Sequence, residues 1–239
     1  MKRAVLEAVL TARAEAQPLA LATELKTGLQ CALGPDGKSA GDLGASAQIE
    51  SAASDALRNN SPVTVDGPNG PIFVQPFNPA LRMYIVGAVH IAQALAPMAT
   101  IAGYEVTVID PRGSFATPER FPGVNLSTDW PDEAMGQAPP DSRTAVITLT
   151  HDPKLDDPAL IAALKSEAFY IGALGSRKTH GLRQDRLRAE GFDDRTIARI
   201  HGPIGLALGG RSPAEIAVAT LAQATQVLHE TDPRARSAA

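Results

Sequence analysis

The first third of the chain carries short apolar runs separated by polar turns, a pattern typical of a small mixed domain. Apolar residues recur at helical spacing from Val5 to Leu10, which predicts an amphipathic helix over residues 3–16. Residues 1–77 are therefore predicted to form a small α+β domain, followed by a proline-containing linker. Its other predicted elements are strands at 19–25, 29–33, 63–65 and 72–75 and a helix at 49–58.

From Leu81 the pattern changes to apolar strands that alternate with helices. This alternation predicts an α/β fold with a mostly parallel sheet covered by helices on both faces. The region between Asp110 and Thr144 is rich in Pro and Gly, which predicts a long loop with one short strand. Residues 230–239 hold nothing to bury and are predicted to be a flexible tail. The remaining predicted elements are strands at 82–87, 105–110, 145–149 and 168–172 and helices at 90–102, 158–165, 177–190 and 213–228.

The first strand, turn, helix and second strand of this region follow the order of a Rossmann fingerprint. Asp110 lies 23 positions after Gly87 (110 − 87), close to the spacing of that motif. Gly87 and Ala92 meet the first and third requirements, which are a tight turn and a small residue for helix packing. Val89 occupies the second glycine position of the fingerprint. Its branched side chain is expected to fill the space in which a diphosphate would touch the main chain. The pattern predicts a Rossmann-like domain over residues 80–229 and weakens ordinary nicotinamide binding.

Composition and charge narrow the class of partner. The chain has 239 residues, 44% of them hydrophobic and 20% charged, which is ordinary globular composition. A net charge of −4 and a pI near 5.7 give no general basic surface, so we expect no nucleic-acid partner. No apolar run reaches the roughly 18 residues that a membrane span needs, so we expect no membrane partner. The single cysteine suits a reducing compartment, so we predict a cytoplasmic protein. Cys31, the single cysteine, excludes an internal disulfide and lies in a strand-like run that predicts a buried, apolar role.

Three further segments are expected at the carboxyl edge of the sheet, where parallel sheets contact ligands. They contain the sequences LTHD at 149–152, ALGSR at 173–177 and PIGL at 203–206. Together with the Gly87 turn they resemble, in order and spacing over roughly residues 82–228, the xanthine dehydrogenase accessory protein family, XdhC/CoxI. The resemblance implies a Rossmann-type domain behind a smaller N-terminal domain. It also implies a chaperone that binds molybdenum cofactor (molybdopterin) and delivers it, in sulfurated form, to a molybdenum hydroxylase such as xanthine dehydrogenase or carbon monoxide dehydrogenase.

The N-terminal part departs from the pattern of that family. The family usually carries a Ser-Pro-Arg-rich loop and a Gly-Gly-Cys turn, whereas this chain reads GDLGASA at 41–47. The resemblance implies a molybdenum hydroxylase apoenzyme as the partner, with a cysteine desulfurase as a further candidate partner. Whether this chain assists sulfuration is left open by the missing cysteine. The apolar surface of the last predicted helix leaves a second copy of the chain, in a homodimer, as another candidate partner.

The candidate cofactor site combines glycine turns, cations and polar side chains. At the turn over 172–178, glycines permit the bend, Ser176 is placed to cap the next helix, and free N–H groups at a helix start attract phosphate. Arg177 and Lys178 add counter-charge, although a plain strand-to-helix turn with exposed cations stays open. The candidate cofactor-binding residues are Gly87, Val89, His90, Asp110, Arg112, His151, Asp152, Gly172, Leu174, Gly175, Ser176, Arg177, Lys178, Pro203, Ile204 and Gly205.

Acidic residues and histidines also occur at the predicted helix starts. Asp156, Asp157 and Pro158 are interpreted as the cap and first turn of a helix. Ser212 and Glu215 form a predicted capping box. His90 and His180 both lie near helix starts, within reach of a ligand across the crevice, although each is also typical of a partly buried polar residue.

Two rival functions stay open from the sequence. One is an NAD(P)-dependent oxidoreductase on the same fold, against which Val89 counts. The other is an accessory protein that holds no ligand and uses the scaffold only to dock onto a partner. No catalytic nucleophile and no metal site are expected, because neither a triad nor a set of metal ligands is assembled by these motifs.

Overall fold

The computed structural model of the chain describes residues 2–37 and 39–229. The chain divides into two compact units, with the boundary between Pro79 and Ala80. The tail predicted at 230–239 lies outside the described residues. Of the helices in the described ranges, none combines the length and apolar character that crossing a membrane requires.

The first unit is an antiparallel sheet with a helix on each face. Apolar residues on one face of the sheet pack against the second helix, including Ile49 and Ala53. Val5 and Val9 of the first helix pack against residues of the opposite face. The elements are α1 (Arg3–Ala14), β1 (Leu19–Glu24), β2 (Gln30–Leu33), β3 (Ser39–Gly41), α2 (Ala47–Asn59), β4 (Val63–Gly67) and β5 (Gly70–Phe77), with strand order β3-β2-β1-β5-β4.

Helices cover both faces of β1, which explains the apolar run in this strand. Ala20 and Ala22 belong to the cluster under α2, whereas Leu19 and Leu21 belong to the cluster under α1. Because both faces of this strand are buried, neither set of alternating positions needs to be polar. The predicted buried role of Cys31 is confirmed, since its side chain is 1% exposed within the α2 cluster.

The second unit is a six-stranded parallel sheet between two layers of helices, so the predicted α/β fold class is confirmed. Two buried clusters cover its opposite faces. The first contains residues of α3 and α8 and the second contains residues of α4, α5, α6 and α7. These elements are β6 (Leu81–Val86), α3 (His90–Ile101), β7 (Tyr104–Ile109), β8 (Asn125–Ser127), α4 (Pro131–Gln137), β9 (Thr144–Thr148), α5 (Pro153–Leu164), β10 (Tyr170–Ala173), α6 (Arg177–Ala189), α7 (Asp194–Ile197), β11 (Ile200–His201) and α8 (Pro213–His229).

The strand order creates a crevice in the middle of this sheet. From β6 the chain first builds β7 and β8 on one side and then returns to place β9, β10 and β11 on the other, in the order β11-β10-β9-β6-β7-β8. The reversal lies between β6 and β9, so the loops that follow these two strands flank the topological switch point. In open parallel sheets this is the place where ligands bind.

Two sequence interpretations of this unit were wrong. The helix predicted from residue 158 begins at Pro153, with the Asp152 carboxylate accepting a hydrogen bond from the Lys154 N–H at 3.0 Å. Asp156 is therefore a buried residue of the first turn, and Asp152 rather than Asp156 is the cap. The predicted long loop after Asp110 contains the helix α4, which carries Gly136 near its C-terminal end and only two buried residues and so lacks an apolar period.

Candidate functional site

The loops after β6 and β9 touch at the switch point. Gly87 has a φ of 105°, and a Cβ built on it would lie 2.5 Å from the Cγ2 atom of Thr150. Both the backbone conformation and this close neighbour therefore require glycine. His90 is the exposed first residue of α3, and His151 is exposed on the loop after β9. Two imidazoles are thus carried by the two loops that border the crevice.

Asp110 follows β7 and is fully buried. Its Oδ2 accepts a hydrogen bond from the Ala88 N–H at 2.8 Å, and the Arg112 guanidinium donates to both carboxylate oxygens at 2.9 and 2.7 Å. Burial raises the pKa of Asp110, but these hydrogen bonds outweigh burial and hold the pKa below its usual value. Asp110 and Arg112 therefore clasp the Gly87 turn, and the cofactor contact expected of them from the sequence stays a prediction.

Arg112 and Val89 complete the surroundings of that clasp. The Arg112 guanidinium also lies over the ring of Phe115, 4.5 Å from its centroid. Val89 is the N-cap of α3 and provides no side-chain cap, and it packs, half-buried, against the core of this face. Its side chain therefore has a packing role beside the turn in addition to the expected obstruction of the main chain.

The loop after β9 is short and locally strained. His151 has a φ of 61°, in the left-handed region that residues with a Cβ seldom adopt. Its imidazole is exposed. The Asp152 carboxylate caps α5, and the cofactor contact expected of it stays a prediction. A strained, exposed side chain in a loop at a switch point is a feature of binding sites, so His151 is the stronger candidate of the two.

The turn after β10 presents two cations. Gly175 has a φ of 145°, and the predicted helix cap is confirmed because the Ser176 hydroxyl accepts a hydrogen bond from the Thr179 N–H at 3.1 Å. Arg177 and Lys178 are exposed at the start of α6. Within the described residues neither side chain is paired with a carboxylate. Positive charge and helix-start N–H groups therefore occur together here.

A buried ion pair lies among the helices that follow these loops. Asp156 of α5 and Arg183 of α6 are 1% and 2% exposed, and their Oδ2 and Nη2 atoms are 3.6 Å apart. Burial raises the pKa of Asp156 and lowers the pKa of Arg183. Burial and the nearby Arg183 charge also lower the pKa of His180, so its imidazole favours the neutral form.

Sequence reasoning missed this pair. A signal was present, because each residue interrupts an apolar helix face. Asp156 is flanked by the buried Leu155 and Ala159, and Arg183 lies four positions before the buried Leu187. A charge in such a position needs a partner, although the sequence does not say which one.

The loop after β11 is held mainly by packing. The Gly202–Pro203 peptide bond is cis, and Pro203 is exposed. Ile204 is buried, and a Cβ on Gly172 would lie 2.6 Å from its Cδ1 atom. The Gly205 N–H donates a hydrogen bond to the Gln223 Oε1 atom at 2.8 Å. Gly172, Ile204 and Gly205 are therefore engaged by packing and by a hydrogen bond within the protein.

The structure thus separates the candidate residues into two groups. Those buried or engaged by the chain itself are Asp110, Arg112, Asp152, Gly172 and Ile204. Leu174 is half-buried, and its carbonyl accepts a hydrogen bond from Arg183 at 2.8 Å. Within the described residues, no three His, Cys, Asp or Glu side chains come together as ligands for a metal ion. Among the remaining candidates, the exposed side chains at the carboxyl edge are those of His90, His151, Ser176, Arg177, Lys178 and Pro203.

Comparison with known proteins agrees with this architecture. A family model described as the XdhC Rossmann domain matches residues 83–224. The chain belongs to the XdhC family. The resemblance drawn from the glycine turn, ALGSR and PIGL is therefore confirmed, as is the Rossmann-like fold of the second unit.

Curated relatives of this XdhC chain include a chaperone and a probable enzyme subunit. The molybdenum cofactor insertion chaperone PaoD of Escherichia coli is 33% identical over 157 residues, which are 65% of this chain and 43% of that protein. A probable xanthine dehydrogenase subunit of Bacillus subtilis is 28% identical over 156 residues, which are 65% of this chain and 45% of that protein. The chain therefore spans less than half of the length of these relatives.

A solved structure shares the fold over nearly the whole chain. The crystal structure of a xanthine dehydrogenase from Bacillus halodurans matches with a TM-score of 0.73 and 22% sequence identity. The match covers 96% of this chain and 68% of that one. At this level of identity the likeness concerns the fold alone.

Proposed function

We propose that this XdhC chain binds molybdenum cofactor at the carboxyl edge of its parallel sheet and passes it to a molybdenum hydroxylase. Membership of the XdhC family and the similarity to an insertion chaperone support the proposal. Transfer to a hydroxylase of the xanthine dehydrogenase or carbon monoxide dehydrogenase type, in the cytoplasm, is the corresponding role. Binding and release need no covalent step by the protein, so no residue is assigned as a nucleophile.

The exposed residues fit the chemistry of this cofactor. Molybdenum cofactor is a pterin with a terminal phosphate and a metal held by a dithiolene, and it supplies the metal centre that the receiving enzyme uses. Arg177 and Lys178 match the anionic phosphate, and the N–H groups at the start of α6 add to that attraction. His90 and His151 provide polar contacts for the pterin. These residues bind and orient the cofactor.

One observation carries the proposal. Exposed cations follow β10 while exposed imidazoles follow β6 and β9, so all of them lie at the same edge of three adjacent strands. Parallel strands bring their carboxyl ends together at one edge, where loop side chains converge on a ligand. A phosphate-bearing, polar molecule suits this combination better than an apolar one does.

Nicotinamide binding has weaker support. The acidic residue after the second strand of a Rossmann fingerprint normally holds a ribose hydroxyl. Here both oxygens of Asp110 are engaged by Ala88 and Arg112, and Val89 stands at the second glycine position. A ribose would have to compete with the chain for that carboxylate.

A sulfur-transfer step is not assigned to this chain. Cys31 is its single cysteine, and burial raises the pKa of its thiol. A buried thiol of raised pKa is a poor nucleophile and a poor carrier of sulfur. We propose that a separate protein such as a cysteine desulfurase supplies sulfur to the cofactor, and that this chain holds the cofactor.

The test is binding of purified molybdopterin to the purified chain. Retained pterin is oxidised and measured by fluorescence after gel filtration, for the wild type and for Arg177→Ala. Loss of one charge-assisted phosphate contact is expected to lower affinity about tenfold. The free energy of unfolding is expected to change by less than about 0.5 kcal/mol, because the side chain is exposed.

A matched control is Arg195→Ala, which removes another exposed arginine in the short helix α7. Its pterin affinity is expected to equal that of the wild type. Equal binding by the wild type and Arg177→Ala would remove the turn after β10 from the site. Tight NAD(P)(H) binding with no retention of pterin would favour the oxidoreductase.

A further inference from the structure

The Asp156–Arg183 pair lies beneath the two loops that carry the exposed imidazole and the exposed cations. Asp156 belongs to the first turn of α5, which follows the His151 loop. Arg183 belongs to α6, which follows the Gly175 turn. Both side chains are almost fully buried, so neither can contact a ligand at the surface directly. Any effect of the pair on binding must act through the residues that it holds.

Each partner of the pair is bonded to a different loop. The Oδ1 atom of Asp156 accepts a hydrogen bond from the Thr150 hydroxyl at 2.6 Å and a longer one from the Thr150 N–H at 3.3 Å. The Arg183 Nη2 atom donates to the Leu174 carbonyl at 2.8 Å. One ion pair therefore joins the loop before His151 to the turn before Arg177.

His180 extends this connection toward a third loop. Its Nδ1 atom lies 3.5 Å from the Arg183 Nη1 atom, and its Nε2 atom lies 3.2 Å from Gln184. The imidazole also lies directly against Gly202, where a Cβ would overlap it. The buried guanidinium is thus linked, through His180, to the loop that follows β11.

A second ion pair also joins the same two helices. Arg186 of α6 donates to both carboxylate oxygens of Asp157 in α5, at 2.5 and 3.0 Å, and this pair is partly exposed. The buried pair is less completely satisfied, since within the described residues Asp156 Oδ2 and Arg183 Nε have no hydrogen-bond partner. Burying two charges in this way stabilises a fold poorly compared with apolar side chains.

We propose that Asp156 and Arg183 are positioning residues for the cofactor site. They fix the loop after β9 and the turn after β10 relative to one another, so that His151 faces the same ligand as Arg177 and Lys178. The inference rests on the proposed function for its ligand, but the mechanical link between the loops exists without one. The two aspects therefore need separate measurements.

The link itself is tested by hydrogen–deuterium exchange on the full chain without added pterin. Thr150→Val keeps the shape of the side chain and removes the hydroxyl that reaches Asp156, and it is expected to speed exchange at the distant turn 174–178 about tenfold. Arg183→Met is expected to speed exchange at the distant loop 149–152 by a similar factor. Arg186→Met, the matched control, is expected to leave both segments unchanged.

Unchanged exchange at the distant segment in both Thr150→Val and Arg183→Met would overturn the proposal. Thr150→Val decides the question alone if Arg183→Met does not fold, because it leaves no buried charge unpaired. This result does not depend on pterin, so a failure of the proposed function leaves it intact.

Pterin affinity provides the second measurement. Thr150→Val and Arg183→Met are each expected to bind molybdopterin about tenfold more weakly than the wild type, because loosened loops lose their orientation. The double variant Asp156→Leu/Arg183→Met, which replaces the pair by apolar side chains, is expected to regain thermal stability but not affinity. Wild-type affinity in the double variant would show that the pair only balances charge, and would overturn the positioning role.

Discussion

Two turns at the carboxyl edge of the same sheet differ in how the protein pairs the charges beside them. The turn after β6 is closed by the chain itself, because Asp110 accepts the Ala88 N–H and pairs with Arg112. The turn after β10 is capped by a neutral hydroxyl, Ser176, and leaves its cations exposed. Both are glycine turns that lead from a parallel strand into a helix. They differ in whether the nearby charge is neutralised within the protein.

This difference shows how one Rossmann-like domain can keep the motif that defines its fold in one turn and the charges that attract a ligand in another. The first turn keeps the geometry of the nucleotide motif, but its carboxylate and its cation satisfy one another. The second turn is absent from the nucleotide fingerprint, yet it offers the electrostatic features that attract an anion. The positions that define the fold are therefore not the positions that we assign to the phosphate.

The largest expected effect comes from breaking the first turn. Asp110→Ala leaves the Ala88 N–H and the Arg112 guanidinium without their acceptor, and we expect a loss of about 3 kcal/mol in the free energy of unfolding. Urea denaturation checks this value. Lys178→Ala in the second turn is the control and is expected to change stability by less than about 0.5 kcal/mol. Equal stability of Asp110→Ala and the wild type would mean that the clasp does not form in solution.

Removing one arginine from each turn, Arg112 or Arg177, tests the comparison and is expected to give effects of intermediate size. Arg112→Ala is expected to destabilise the fold by about 1–2 kcal/mol, because it leaves the buried Asp110 carboxylate without its cation. The pterin affinity of folded Arg112→Ala is expected to stay near that of the wild type. Arg177→Ala is expected to bind pterin more weakly and to keep nearly the stability of the wild type. Unfolding and pterin titration of both variants in the same buffer provide the measurement. A large affinity loss in Arg112→Ala would return Arg112 to the ligand site.

The smallest expected effect is a pH dependence carried by the clasp. The pKa of Asp110 in the folded protein lies below its ordinary value of 3.8, so its stabilising contribution is present above that pH and is lost as the pH falls through the folded value. The difference in unfolding free energy between the wild type and Asp110→Asn should therefore shrink as the pH falls below 3.8. Glu215, whose pKa is lowered to about 2 by hydrogen bonds from Ser212 and Arg211, is common to both proteins and cancels. A difference in unfolding free energy that does not change with pH would contradict the stabilising role assigned to the ionised Asp110.

Much of the fold was predictable because its signals are local. Apolar runs and glycine turns located β6, α3, β7, β9 and α6 to within a few residues, and Ser176 and the Ser212–Glu215 box marked the starts of α6 and α8. The elements missed, β3, α4, α7 and β11, are short and bury few residues. Short elements are determined by the sheet or helices beside them more than by their own pattern.

The candidate site was harder to predict because it depends on side-chain partners. The spacing located Asp110 correctly at the end of its strand, yet spacing does not reveal that the Arg112 side chain folds back onto it. Asp156 was misread as a helix cap because Pro158 resembles the first residue of a helix, whereas Pro153 fills that position. Only the packing of α5 against α6 brings Asp156 to Arg183.

The clasp also limits how this scaffold can be redesigned. Restoring glycine at position 89 would recreate the glycine pattern of a dinucleotide binder but would leave the acidic side chain occupied by a guanidinium from its own loop. An engineered nucleotide specificity therefore requires a second change that frees the acid while another donor keeps the Ala88 loop in place. The single change would satisfy the motif without creating a free acceptor for a ribose.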